Sequence, residues 1–265
     1  MPSFARGPSS GPEGGGGRFR PRFRSGAPYL LPAAAAVLAA LALFAWRKEL
    51  SSAGSSLTLE SPETQVAKAL ASQTRAHLED VYAFRAGGTV ELVPVRYSDV
   101  LPAVEGGTAS VVALLDAEGR VSWRDQAADL SYLGREHFHM KPCDIALWCA
   151  QGDQFGRLRG VLRTLFRRLD AEEARDPSAY AILLADDYRD SALGREATLE
   201  RLRRELEAGD RPRVRVRAWQ IRVDRDAAEV GEDQEVTGPG GRTRPARARY
   251  RLVRRGERWL FAGGL

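Results

Sequence analysis

An uncharged stretch near the N-terminus constrains this chain more than any other feature of its sequence. The 19 residues from Pro28 to Trp46 contain no charged side chain and are mostly Ala and Leu. At about 1.5 Å per residue, a helix of this length nearly crosses a hydrocarbon core of about 30 Å. Tyr29 and Trp46 lie at its two ends, where aromatic rings favour the headgroup layer. The stretch therefore predicts one transmembrane helix over residues 28–46.

The charges on either side of this helix indicate its orientation. Five Arg and one Glu precede it, whereas Arg47, Lys48 and Glu49 follow it. The larger basic cluster is expected to stay in the cytoplasm, which places the body of the chain on the other side. A cleaved signal peptide is the alternative, with a small-residue site at residues 51–53. We favour an uncleaved anchor, because the apolar stretch is longer than the usual signal-peptide core of about 7–15 residues.

The rest of the composition points to a folded body in a bacterial envelope. Residues 1–27 are rich in Gly, Pro, Ser and Arg and predict a disordered cytoplasmic tail, while residues 47–61 predict a linker. The tail carries 5 − 1 = +4 of the net charge of +5, so the body is nearly neutral and gives no case for a nucleic-acid partner. The preference for Arg over Lys suggests a GC-rich bacterial genome. We expect an inner-membrane protein with a periplasmic body.

Residues 62–154 predict an α+β region that resembles no family. Ser61 and Pro62 are typical of a helix start, and apolar residues recur at helical spacing as far as Gly87. Strands are then predicted over residues 89–97, 109–115, 120–123, 130–140 and 144–149, with a turn at residues 116–119. A helix followed by antiparallel strands indicates the α+β class.

Four side chains that are able to bind a metal lie near the end of this region: His137, His139, Cys143 and Cys149. The two His share one face of a strand, but the spacing matches no standard zinc site. A disulfide suits an exported protein, although one extended strand would hold the two Cys about 20 Å apart unless it bends. We favour buried free Cys and surface His, because free Cys is commonly found in protein cores.

The second half predicts three helices followed by a sheet. The helices span residues 156–174, 178–188 and 195–206, and the strands span residues 211–223, 227–236, 245–254 and 259–262. Apolar residues in the first strand change from even to odd positions near Ala218, which predicts a bulge that bends the sheet around the helices. Outward Arg on the flanking strands and acids on the middle strand predict cross-strand pairs. They are Arg217 with Asp233 and Arg215 with Glu235 on one side, and Asp233 with Arg247 and Glu229 with Arg251 on the other.

Three motifs carry a resemblance to a known family. They are Leu-Leu-Ala-Asp-Asp-Tyr-Arg-Asp at 183–190, Gly-Arg-Glu-Ala-Thr-Leu at 194–199 and Arg-Trp-Leu-Phe-Ala-Gly at 258–263. Together they resemble the nuclear-transport-factor-2-like superfamily, which includes polyketide-cyclase-like and ketosteroid-isomerase-like proteins. The resemblance implies a cone-shaped domain over about residues 155–265, with three helices against a curved antiparallel sheet. The first half is then a candidate for a degenerate second copy.

The resemblance leaves the activity open, because this fold carries both enzymes and scaffolds. Isomerase-like members use a carboxylate base with a Tyr or protonated acid, and Asp186, Asp187, Tyr188 and Tyr180 are of the right types. We expect a non-enzymatic binding or scaffold protein without a cofactor, whose partners are the lipid bilayer and either a protein or a small apolar ligand. The alternatives are a membrane-tethered enzyme or small-molecule binder that uses the cone cavity, and a metal-binding protein.

Overall fold

The computed structural model describes residues 60–81, 88–144, 147–152, 154–190, 193–207, 213–238 and 240–264. No helix in these ranges is long and apolar enough to cross a membrane. The tail, the transmembrane helix predicted over residues 28–46 and nearly all of the predicted linker lie outside the described residues.

The described residues of the first half form one helix and five strands. In chain order they are α1 Pro62–Ala71, β1 Ala76–Leu78, β2 Thr89–Glu105, β3 Thr108–Trp123, β4 Gln126–Asp144 and β5 Leu147–Gln151. Ser61 caps α1 as predicted, since its side chain accepts a hydrogen bond from the N–H of Thr64 at 3.3 Å. The α+β class predicted for this region is confirmed.

Two element boundaries predicted for this half are wrong. The helix ends at Ala71 and not near Gly87, because Ala76–Leu78 leaves it to pair with β2, where Leu78 lies opposite Val90. The predicted turn at residues 116–119 is also absent, since β3 runs straight through it. Gly119 allows this because the backbone of β2 passes so close that a Cβ would overlap the carbonyl oxygen of Glu91.

The second half contains three helices and six strands. They are α2 Gly156–Ala174, α3 Pro177–Ala181, β6 Arg189–Asp190, β7 Leu193–Gly194, α4 Arg195–Glu207, β8 Arg213–Asp224, β9 Ala227–Thr237, β10 Thr243–Arg255 and β11 Arg258–Gly263. The second helix is shorter than predicted, because the chain after Ala181 runs beside β11. There the N–H of Phe261 donates to the carbonyl of Leu183 and the N–H of Ala185 donates to the carbonyl of Phe261, each at 2.8 Å.

Three helices against a bent antiparallel sheet form the cone that the resemblance implied. Strands β8 to β11 pair antiparallel in order, and the register of β8 against β9 shifts between Val216 and Ala218. The predicted bulge is therefore confirmed. It turns Val216 and Trp219 to the same interior side of the sheet, where both side chains are buried.

One large sheet joins the two halves. Its strand order is β1-β2-β3-β4-β8-β9-β10-β11, and β4 pairs with β8 in parallel over residues 129–134 and 218–223. β5 pairs with the C-terminal end of β4. The sheet therefore continues across the boundary that the sequence suggested near residue 154.

The first half also caps the longest helix of the cone. Phe155, at the N-terminus of α2, has a left-handed backbone and provides no side-chain cap. The buried carboxylate of Glu136 on β4 takes that role, accepting hydrogen bonds from the N–H groups of Arg157 at 3.2 Å and Leu158 at 2.9 Å. The hydroxyl of Tyr132 donates to the same carboxylate at 2.6 Å. Burial raises the pKa of Glu136, and these hydrogen bonds oppose the rise.

The outer face of the sheet carries some of the predicted ion pairs. Arg247 lies opposite Asp233, and its Nε is 2.6 Å from the carboxylate. Arg215 is opposite Glu235 as predicted, but the bulge places Ala218 and not Arg217 opposite Asp233, and Arg217 binds Glu235 at 2.5 Å instead. Exposed pairs of this kind contribute little to stability, because both charges remain solvated.

Close packing between α2 and β11 generates a stability prediction. A Cβ at Gly160 would lie 2.6 Å from Cδ1 of the buried Trp259, whereas a Cβ at Gly156 would meet nothing within 4 Å. We expect Gly160→Ala to destabilise the protein by about 1–3 kcal/mol, because the Trp ring must move. Gly156→Ala, in the same helix, is the matched control and should not destabilise it. Urea unfolding of both variants measures this, and equal stabilities would contradict the packing.

Candidate functional site

A buried ion pair lies in the centre of the cone. Arg168 projects from α2 and Glu232 from β9, and only 3% and 0% of their residue surfaces are exposed. Nη2 of Arg168 lies 2.7 Å from each carboxylate oxygen of Glu232. A buried carboxylate and guanidinium stay charged only when each is paired in this way.

The carboxylate of Glu232 is saturated by further donors. Nε1 of Trp219 donates to it at 2.8 Å, and the side-chain amide of Gln234 also donates to it. Nη1 of Arg168 donates to the hydroxyl of Tyr250 at 2.6 Å, while the guanidinium lies 4.7 Å from the centre of the Tyr250 ring. A carboxylate that accepts hydrogen bonds from an Arg, a Trp and an amide is a poor general base, because protonation would break these contacts.

The groups around Arg168 favour its charged form. Burial disfavours the charged form of Arg168, but the carboxylates of Glu232 and Glu172 outweigh it and raise the pKa of Arg168. Burial also raises the pKa of Tyr250, although the neighbouring Arg168 opposes this. The cluster therefore presents a fixed network of hydrogen-bond donors and acceptors around a charged guanidinium.

A cavity of about 480 Å³ opens beside this network. Its apolar wall includes Trp123 and Phe166, whose rings lie 5.4 Å apart and pack on Trp219 at 5.2 Å and 5.7 Å. Its charged rim includes Arg124, which binds Asp170 at 2.7 Å. The aromatic side chains therefore fill the depth of the cone, and the open space lies at its mouth. Its volume is within the range of small-molecule pockets.

The catalytic candidates chosen from the sequence do not converge on this cavity. Asp186 and Asp187 are exposed, and Asp187 contacts Arg255 at 3.1 Å on the surface. Tyr188 is buried. Tyr180 lies near the ion-pair network, because its hydroxyl donates to Glu172 at 3.3 Å. Tyr180 therefore contacts a residue that lines the cavity.

Two of the four metal-binding candidates are bonded to each other in a disulfide. Strand β5 folds back on β4, with Pro142 opposite Trp148. This brings the Cα atoms of Cys143 and Cys149 to within 5.7 Å of each other, and their sulfur atoms form a disulfide bond. The preference for buried free Cys is therefore wrong, because a hairpin replaces the single extended strand. His137 and His139 remain exposed on β4. Within the described ranges, no three His, Cys, Asp or Glu side chains are grouped so as to hold a metal ion.

Sequence reasoning missed the central residues, although signals for them exist. On β9, Ala228, Val230 and Glu232 alternate inward, so Glu232 shares the buried parity and not that of the outward acids. Arg168 follows Leu165 by three residues on the apolar face of α2. When a helix and a strand each have a charged residue, of opposite sign, at a position that the pattern predicts to be buried, an internal ion pair is indicated.

Comparison with known proteins finds similarity in structure only. No family model and no curated protein matches the chain. Similar solved structures include an NTF2-like protein involved in plasmid conjugation, which is 9% identical and covers 67% of this chain and 77% of its own, with a TM-score of 0.30. A putative ketosteroid isomerase from Shewanella frigidimarina is 10% identical over 40% of this chain and 92% of its own, with a TM-score of 0.34. A protein from Bdellovibrio bacteriovorus is 7% identical over 67% of this chain and 87% of its own, with a TM-score of 0.34.

The buried pair generates a double-mutant prediction. Arg168→Met should cost about 3–5 kcal/mol, because it leaves the carboxylate of Glu232 buried without its counter-charge. Adding Glu232→Gln should recover much of that loss, since the remaining amide is neutral. Chemical unfolding of the single and double variants of the full-length chain measures the coupling.

The exposed pair on the outer sheet provides the matched control. Arg247→Met removes the partner of Asp233 at the surface and should destabilise the protein far less than Arg168→Met. If the losses at Arg168 and Glu232 simply add, the two residues do not stabilise each other.

Proposed function

We propose that this chain is a membrane-anchored, exported protein of the bacterial cell envelope that acts by binding or supporting another component and not by catalysis. The observation that carries the proposal is the saturated, aromatic-filled interior of the cone. Its buried carboxylate, Glu232, is held by Arg168 and Trp219 and has no open position for a substrate proton. This interior suits a rigid platform.

Export has two independent supports. The basic tail before residue 28 and the apolar stretch after it favour an anchor with the body outside the cytoplasm. The bond between Cys143 and Cys149 uses both Cys of the chain, and such bonds persist mainly in oxidising compartments. The anchor and the disulfide are therefore consistent with the same location.

Thiol trapping in cells that are quenched with acid and then dissolved in denaturant tests this location. We expect the full-length chain, expressed in a bacterial host and treated with a maleimide-polyethylene glycol, to react with the reagent only after reduction, because Cys143 and Cys149 are bonded. Deleting residues 28–46 should keep the chain in the reducing cytoplasm, so that both thiols react at once. Cys143→Ser, which leaves one thiol, calibrates the gel shift. Immediate reaction of both thiols in the full-length chain would contradict the proposed export.

A second function, small-molecule binding, is favoured by the cavity at the cone mouth. Its 480 Å³ accommodates a modest apolar ligand against Trp123, Phe166 and Val214. The two functions differ in what occupies this space in the cell. A scaffold leaves the cavity to solvent, whereas a binder retains a ligand there.

Native mass spectrometry of the full-length chain, purified gently from its own membrane, separates these functions. For a scaffold we expect the mass of the chain without a small molecule, and the same result for Val214→Trp, which fills part of the cavity. A bound species that is present in the wild type and lost in Val214→Trp would replace the scaffold proposal with the small-molecule binder.

A further inference from the structure

The outer face of the cone's sheet contains an interruption in an otherwise regular charge pattern. The outward positions of β9 are Glu229, Gly231, Asp233 and Glu235, so one acid is missing from the series. On β10, Arg251, Arg249 and Arg247 lie directly opposite positions 229, 231 and 233. Arg249 is therefore the Arg of this row that faces no carboxylate.

The surroundings of Gly231 are strongly basic and concave. A groove of about 560 Å³ is lined by Arg189, Arg222, Arg249 and Arg251 against one acid, Glu229. Within the part of the chain that the structure describes, no carboxylate lies within 4.0 Å of Arg189, Arg222 or Arg249. The nearby Arg247, by contrast, is paired with Asp233 at 2.6 Å. Asp233 thus neutralises Arg247, which lies beside the groove. The groove itself has four Arg and one Glu, which leaves an excess of three positive charges.

Because Gly231 has no side chain, an anion has room to lie where the carboxylate of an acidic residue at this position would lie. A Cβ there would be in ordinary contact with Gln220, 3.6 Å from its Cβ, so neither crowding nor a left-handed backbone requires Gly at this position. Gln220, on the other side of Gly231, offers an amide that can donate a hydrogen bond. Guanidinium groups bind phosphate through paired hydrogen bonds and remain charged at any relevant pH.

We propose that this groove binds a phosphoryl group, which takes the place of the missing acid at position 231 and is held mainly by Arg249 and Arg222. The ligand belongs either to a phospholipid headgroup or to a free phosphorylated solute, since both present the same oxygens. The proposal needs only the geometry of the outer sheet and does not rest on export, anchoring or the interior of the cone.

Calorimetric titration of the purified full-length chain at low ionic strength tests the site and separates the two sources. Inorganic pyrophosphate represents the free solute, and dihexanoyl phosphatidylglycerol, kept below its micelle concentration, represents the headgroup. Binding of either supports the proposal, and the ligand that binds more tightly identifies the source. Failure of both to bind the wild type overturns it.

Substitutions at position 231 locate the site. Gly231→Glu supplies the missing carboxylate, so it should weaken binding by about tenfold or more and raise the midpoint of thermal unfolding. Gly231→Ala should bind like the wild type, and Gly231→Gln measures the effect of size without charge. Binding by Gly231→Glu that equals the wild type, or a loss no larger than that of Gly231→Gln, overturns the proposal.

A pair of Arg variants on one strand separates a defined site from general attraction. Arg249→Gln should weaken binding by about tenfold or more, whereas Arg247→Gln, which lies two residues away on the same face and is already paired, should leave it nearly unchanged. Equal losses in the two variants would show only a diffuse basic surface and overturn the proposal. Native circular dichroism of each variant confirms that a loss does not reflect unfolding.

Discussion

The burial of one salt bridge determines how the helices and the sheet of this cone fit together. Arg168 and Glu232 belong to different layers and lie 64 positions apart in the chain, yet neither can be buried alone. Once they meet, α2 is fixed against β9, and Trp219 and Tyr250 are positioned by their bonds to the pair. The aromatic packing around Trp123 and Phe166 then fills the remaining depth of the cone.

Periodicity predicted the second half well because its elements bury one face only. The amphipathic pattern of residues 156–174 predicted both ends of α2, and the change of parity near Ala218 located the bulge. The alternation of Arg and acid along β8 to β10 likewise predicted the partner of Arg247. In the first half the same method failed where two periods overlap: Leu78 and Val81 suit a helix as well as a strand. Only the pairing of β1 with β2 decides between them.

The candidate site was harder to predict because its residues are charged. Sequence reasoning assigns Arg and Glu to the solvent by default, so Arg168 and Glu232 were hidden among many exposed residues of the same types. Their positions in the helix and the strand indicate that they are buried only when it is known which face of each element points inward. The pair Cys143 and Cys149 illustrates a different difficulty, since its bonding depends on the short strand β5 folding back against the end of β4. The predicted roles of Asp186 and Asp187 came from residue type, and residue type does not determine which way a turn faces.

The parallel pairing of β4 with β8 has a consequence for the order in which the chain acquires its structure. β4 and β8 can pair only after about 80 intervening residues have been synthesised. One edge of β4 therefore stays without its partner strand β8 while α2, α3 and α4 are made. An unpaired strand edge is a template for aggregation. Part of that edge is covered early, because β5 folds back on the end of β4 and the bond between Cys143 and Cys149 holds it there. The pairing of β5 with β4 therefore shortens the exposed edge of β4 before β8 is available to cover the rest.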